Sequence, residues 1–116
     1  VRVSFTPHLI PMSRGLLVTV YGAAATGVTA EQVEAAYQSA YAETPLIRYA
    51  EALPATGLVR GTPFTQVYAR FDPRTQTLQA GAALDNLLKG AASQAIQNLN
   101  RLLGLPQQTG LARSGG

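Results

Sequence analysis

The strongest pattern of hydrophobic and polar positions lies near the end of the chain, between Asp85 and Pro106. Apolar residues recur there three or four positions apart, which predicts one long helix with a single apolar stripe. The stripe consists of Leu88, Ala91, Ala92, Ala95, Ile96, Leu99, Leu102 and Leu103. Asp85 and Asn86 are suited to capping the N-terminus of this helix, and Gly104 followed by Pro106 predicts its end. We expect the stripe to face a core.

A second amphipathic helix is predicted in the first half of the chain, ending before Pro45. Thr29 and Gln32 have the spacing of a capping box at its N-terminus. The apolar residues that follow share one helical face: Val33, Ala36, Tyr37, Ala40 and Tyr41.

Alternating or continuous apolar segments predict five strands, which cover residues 1–6, 16–21, 46–51, 64–71 and 77–84. The last two are expected to form a hairpin across a turn that begins at Asp72 and Pro73. Leu16 to Tyr21 is continuously apolar, which is typical of a strand covered on both faces.

The order of these elements predicts an α+β domain with a mostly antiparallel or mixed sheet and helices on one face. Residues 1–84 would form part of this domain, 85–106 the long C-terminal helix, and 107–116 a tail that is mobile after Leu111. The chain begins abruptly at Val1 in strand-like residues, so we expect it to be a fragment.

Composition excludes several classes of protein. The chain has 116 residues, of which 47% are hydrophobic and 13% charged, and this balance favours a single globular domain. It contains neither an apolar run that could span a bilayer nor a signal segment, so we expect a soluble, cytoplasmic protein without membrane partners. The nine basic residues are scattered and lack interleaved aromatic residues, which argues against nucleic acid as a partner.

The chain offers few groups for catalysis. It has no cysteine, which excludes a thiol nucleophile and a thiolate metal site within these residues. Its one histidine, His8, lies between two prolines, and no sequence feature supplies it with a partner for acid–base chemistry. We therefore predict no metal site and no catalytic residue in this chain.

Two places remain candidates for binding. Asp85, Asn86 and Lys89 lie at the junction of a strand and a helix, where ligands collect, although capping alone would also explain the pattern. Arg14 lies on a loop fixed by prolines and Gly15. Its guanidinium is either exposed to solvent at the tip of the loop or binds a phosphate or carboxylate group.

Three segments in this order closely resemble the C-terminal part of the N-acetyl-gamma-glutamyl-phosphate reductase family, within the semialdehyde dehydrogenase group. They are FTPHLIPMSRG at 5–15, DNLLKGAASQAIQN at 85–98 and LGLPQQTGL at 103–111. Reductases of carrier-protein-bound aminoadipyl phosphate, from lysine synthesis, share these motifs and remain an alternative. A non-enzymatic, self-associating α+β module is the rival from a different class.

The resemblance implies a dimeric, NADP-dependent oxidoreductase of arginine biosynthesis, acting on a small acyl phosphate. Its N-terminal Rossmann domain and its catalytic cysteine and histidine would lie upstream of Val1, so this chain alone would be inactive. The domain itself would resemble the catalytic and dimerisation domain of glyceraldehyde-3-phosphate dehydrogenase-like enzymes. The resemblance assigns Asn86 to the nicotinamide end of NADP, and Arg14 and Lys89 to the phosphate-bearing substrate. It implies that the long helix packs near the Rossmann domain, with Ala91 and Ala95 in the contact.

Overall fold

The computed structural model describes residues 2–111 and contains one four-stranded mixed sheet with helices packed around it. Its strands are β1 (Leu16–Ala23), β2 (Ile47–Tyr49), β3 (Thr65–Asp72) and β4 (Thr77–Leu84), in the spatial order β1-β4-β3-β2. β4 runs antiparallel to both neighbours, whereas β2 runs parallel to β3. The α+β class with a mixed sheet is therefore confirmed.

The hairpin of β3 and β4 forms where the sequence predicts it, with Phe71 opposite Leu78. The carboxylate of Asp72 accepts a hydrogen bond of 3.0 Å from the main-chain nitrogen of Arg74, as expected of a turn that begins with Asp and Pro. This local bond stabilises the turn that joins the two strands.

Helix α1 (Ala30–Tyr41) begins with the predicted capping box. The main-chain nitrogen of Gln32 donates to the hydroxyl of Thr29, and the Gln32 side chain accepts from the Thr29 nitrogen. Val33 on this helix joins Ala69 and Phe71 of β3 in the buried core. The core therefore lies between α1 and the β2–β3 side of the sheet.

The two faces of the sheet are covered differently. Val20 of β1 shares a face with Ala69, because both lie opposite Ala80, and this is the face on which α1 packs. Gly81 points to the other face, where Pro54 lies close to it. Pro54 precedes helix α2 (Thr56–Val59), a single turn between β2 and β3. The main helix α1 thus lies on one face, as predicted, and the other face is crossed by the segment at Pro54 and the short helix α2.

The prediction of a strand at residues 1–6 is wrong for residues 2–6, and Val1 lies outside the described residues. This segment is irregular and solvent-exposed, because no strand within residues 2–111 pairs with it, and alternation of side chains does not form a ladder without a partner. The expectation that Leu16 to Tyr21 is covered on both faces also fails within the described residues, since every residue of β1 is exposed.

The predicted helix over 85–106 is shorter and begins differently. Residues Leu88–Ala92 form a π turn, and helix α3 covers only Ser93–Leu102. The wider turn arises because the main-chain nitrogen of Gly90 donates to the carbonyl of Asp85, five residues earlier. Gly90 also packs closely against Leu84, so the first turn is crowded by the end of β4.

The predicted C-terminal cap of α3 is confirmed. Gly104 has φ +70, and the nitrogen of Leu105 donates to the carbonyl of Asn100 across 2.8 Å, as in a Schellman motif. The side chain of Asn100 then donates to the carbonyls of Gln107 and Thr109, which hold the following segment along the helix. The predicted mobile end of the tail, residues 112–116, lies outside the described residues.

The apolar stripe of α3 does not face a core within residues 2–111. Leu99 is 52% exposed and Leu102 is 84% exposed, whereas the polar residues Ser93 and Asn100 are buried. The polar side of the helix therefore packs inward, under the segment after Gly104. No helix among the described residues is long and apolar enough to cross a membrane.

Candidate functional site

Asp85 is the centre of the candidate site, directly after β4, and its side chain is 0% exposed. The Nη2 atom of Arg14 lies 3.0 Å from its Oδ1 and 2.9 Å from its Oδ2. The main-chain nitrogen of Gly61 donates to Oδ2 across 2.8 Å. The nitrogens of Leu87 and Leu88 donate to Oδ1 at 2.9 and 3.0 Å, so the predicted capping role of Asp85 is confirmed.

These donors lower the pKa of Asp85 to about 2. The largest contribution is the hydrogen bond from the Gly61 nitrogen, and the bonds from Leu88, Arg14 and Leu87 add to it. Together they outweigh the burial of the carboxyl, which acts in the opposite direction. Asp85 is therefore an anion at any pH at which the protein is expected to work.

Asn86 does not cap the helix but binds the loop that carries Arg14. Its Oδ1 accepts a hydrogen bond of 2.7 Å from the main-chain nitrogen of Gly15. Its carboxamide NH2 has no protein partner among residues 2–111, and the residue is half-buried. A carboxamide fixed through its oxygen presents two N–H donors in a set direction, which is the arrangement needed to bind an acceptor on a ligand.

Arg14 likewise uses only part of its hydrogen-bonding capacity within the chain. Its Nη2 is engaged by Asp85, while its Nε is buried without an acceptor among the described residues. Its side chain remains 34% exposed. The guanidinium therefore keeps donors for another group, but its charge is largely balanced by Asp85.

The side chain of Lys89 forms its hydrogen bond with a residue of α3 and not with Asp85 or Asn86. It is 9% exposed, and its Nζ donates to the side-chain carbonyl of Gln97, which in turn donates to Gln107 across 2.7 Å. Burial lowers the pKa of Lys89. Gln97 lies eight residues further along the chain, so the Lys89 ammonium is bound on α3, and no hydrogen bond joins it to Arg14 or Asn86 among the described residues. The structure therefore brings Arg14 and Asn86 together and leaves Lys89 on a separate polar chain.

Sequence reasoning missed three members of this arrangement. Gly61 has no local signal, since its role depends on a contact across 24 positions. Gln97 and Gln107 lie in a sequence pattern that is typical of ordinary surface residues.

The histidine weighed in the sequence, His8, is exposed, and its ring lies against the carbonyl of Thr6. Within residues 2–111, no group of three or more His, Cys, Asp or Glu side chains could hold a metal ion.

Comparison with known proteins supplies the family. Residues 1–86 match the family model described as the semialdehyde dehydrogenase dimerisation domain. The N-acetyl-gamma-glutamyl-phosphate reductase of Thermus thermophilus is 45% identical over 115 residues, which are 99% of this chain and 33% of that protein. The reductase of Lachnospira eligens is 46% identical over 112 residues, 95% of this chain and 32% of its own. The chain thus spans about a third of the length of the curated relatives it matches.

Proposed function

The chain belongs to the semialdehyde dehydrogenase dimerisation-domain family, and on that basis we propose that it is the C-terminal part of an NADP-dependent reductase. The complete protein would convert N-acetyl-gamma-glutamyl phosphate to N-acetylglutamate semialdehyde in arginine biosynthesis, in the cytoplasm. The observation that carries this proposal is the 45% identity with such a reductase along 99% of the chain. The lysine-pathway aminoadipyl phosphate substrate is the second candidate, since the shared motifs do not separate the two.

The chain's own part in this reaction is to bind and orient, because it contains no cysteine that could attack an acyl phosphate. When bound, NADPH supplies the hydride. Asn86 would hold the carboxamide of the nicotinamide through its free NH2 group, while Gly15 fixes its oxygen. Arg14 would face the substrate from the same side of the site as Asn86, because it precedes Gly15 on the loop that binds Asn86.

The cofactor role is tested with Asn86→Ala in the full-length enzyme. We expect the KM for NADPH to rise about tenfold, because the variant loses one or two hydrogen bonds to the cofactor. Asn98→Ala is the matched control, because Asn98 is an exposed asparagine of α3 that binds only Gln94. An unchanged KM in Asn86→Ala would refute the assignment.

The substrate role of the two cations is tested separately. Arg14→Gln and Lys89→Gln should each raise the KM for the acyl phosphate. Arg101→Gln, at an exposed position on α3, is the control. Since Lys89 is bound on α3, an effect of Arg14→Gln alone would remove Lys89 from the substrate site and leave Arg14 in it.

The activity itself is tested with the purified 116-residue chain and NADPH. We expect no oxidation of NADPH with N-acetyl-gamma-glutamyl phosphate, and partial recovery when the N-terminal part of the reductase is added. Activity of the chain alone would contradict the proposal. Comparing the two acyl phosphates with the full-length enzyme then decides between the arginine and the lysine pathway.

We expect the complete protein to be a homo-oligomer, joined through the sheet face opposite α1. Four large apolar residues are exposed there or on the segment that crosses it: Leu17, Tyr21, Leu53 and Leu58. They all lie within residues 1–86, the part that matches a dimerisation domain. An exposed apolar face of this kind is typical of an interface. The rival, a self-associating module without activity, would use the long C-terminal helix as its interface and is separated from the enzyme by the NADPH assay.

A further inference from the structure

We propose that Asp85 is a positioning residue, which sets the direction of Asn86 and Arg14 without itself touching cofactor or substrate. This inference rests on the proposed function, because it assigns Asp85 a role in the binding of NADPH. Its basis is geometric: one fully buried carboxylate receives donors from three separate parts of the chain.

The contacts form a clamp between two pairs of neighbouring residues. Arg14 binds Asp85, and Gly15 binds Asn86, so two consecutive residues of one loop hold two consecutive residues at the start of the π turn. One contact would leave the loop free to rotate about it. Two adjacent contacts fix both its position and its orientation, and so relate the Arg14 guanidinium to the Asn86 carboxamide.

Helix capping alone does not account for this arrangement. Capping of Leu87 and Leu88 uses only Oδ1 of Asp85, whereas Oδ2 accepts from Gly61, and Arg14 donates to Oδ1 and lies 2.9 Å from Oδ2. The Gly61 bond adds a third segment, the turn that follows α2, to the same point. Each of these donors needs an acceptor, and an asparagine at this position would present an NH2 group to at least one of them. Asp85→Asn therefore keeps the shape of the side chain but disrupts the clamp.

The test is a double-mutant cycle in the full-length enzyme, using Asp85→Asn, Asn86→Ala and the double variant. The dissociation constant of NADPH is measured by fluorescence titration at 25 °C, with folding checked by circular dichroism. We expect each single variant to weaken NADPH about tenfold, and the double variant to bind no more than about twofold worse than Asn86→Ala. Asp72→Asn is the control, because Asp72 caps the distant β3–β4 turn and should leave the constant unchanged.

The outcomes separate this inference from the proposed function. If Asn86→Ala binds NADPH normally, the cofactor assignment fails and the role of Asp85 fails with it. If Asn86→Ala is impaired while Asp85→Asn is normal, or if the two effects multiply in the double variant, only the positioning role is overturned. Should Asp85→Asn not fold, Asp85→Glu keeps the charge but displaces it by one methylene. We expect Asp85→Glu to bind NADPH about tenfold more weakly than the wild type. A dissociation constant equal to that of the wild type would overturn the inference.

Discussion

The main-chain nitrogen of Gly15 lies 2.7 Å from Oδ1 of Asn86, and this bond joins positions that are 71 residues apart. Gly15 adopts φ +126, a conformation that residues with a side chain rarely adopt. A Cβ atom at this position would also lie 2.8 Å from Cβ of Thr56. The bond to Asn86 therefore depends on glycine for two independent reasons, backbone conformation and space.

Gly15→Ala should consequently destabilise the protein and loosen the site. We expect a loss of about 2 kcal/mol in the free energy of unfolding, from backbone strain together with the contact with Thr56. Urea unfolding measures this change. Gly57→Ala is the control, because Gly57 has ordinary φ and nothing within 4 Å of the added methyl, and it should not destabilise the protein. Equal effects of the two substitutions would contradict the packing at Gly15.

Elements with short-range signals were predicted well from the sequence. The capping box of Thr29 and Gln32, the hairpin turn at Asp72 and the cap at Gly104 each depend on residues within a few positions, and all three are present. The contacts that build the site are different in kind. Gly61 reaches Asp85 only because the turn after α2 folds over the end of β4, and nothing near Gly61 in sequence indicates this.

The direction of the α3 stripe shows a second limit of sequence reasoning. Periodicity states that one side of a helix is apolar, but it does not state which part of a protein covers that side. Within residues 2–111 the covered side is the polar one, because Asn100 binds the returning segment at Gln107 and Thr109. We propose, as the family resemblance implies, that an upstream domain of the complete protein covers this apolar side.

Acid should weaken the protein through Asp85. Its pKa is about 2 in the folded protein and 3.8 in its ordinary state, so its contribution to stability is complete above about pH 5. That contribution is lost as the pH falls through the folded pKa, since protonation removes the charge that Arg14 and three main-chain nitrogens stabilise. Unfolding midpoints of wild type and Asp85→Asn, measured between pH 6 and pH 2, check this.

The wild type should be clearly more stable than Asp85→Asn at pH 6, and the difference should shrink towards pH 2. Asn98→Ala, which changes no titratable group, serves as the control, and its difference from wild type should be independent of pH. A difference between wild type and Asp85→Asn that stayed constant across this range would show that the charge of Asp85 does not stabilise the fold.

Tyr21→Arg should dissociate the homo-oligomer of the full-length protein. Tyr21 is 68% exposed on the sheet face opposite α1, and a charge placed in an apolar interface without a partner is costly. If the proposed interface is correct, we expect the dissociation constant between subunits to rise about 100-fold or more, as for a charge placed at the centre of an interface. Sedimentation velocity over a concentration series measures it. Gln38→Arg, on the exposed side of α1, is the control, and equal behaviour of the two variants would place the interface elsewhere.

Leu99→Lys tests whether another part of the full-length protein covers the apolar stripe of α3. Leu99 is 52% exposed within the described residues, so covering by an upstream domain would bury a leucine that this chain leaves in solvent. Loss of that burial and introduction of a charge should cost about 3 kcal/mol in the full-length enzyme. Asn98→Lys, one position earlier and exposed, should cost less than about 0.5 kcal/mol. Thermal unfolding of the two variants decides the question, because equal melting temperatures would mean that the stripe stays exposed in the complete protein.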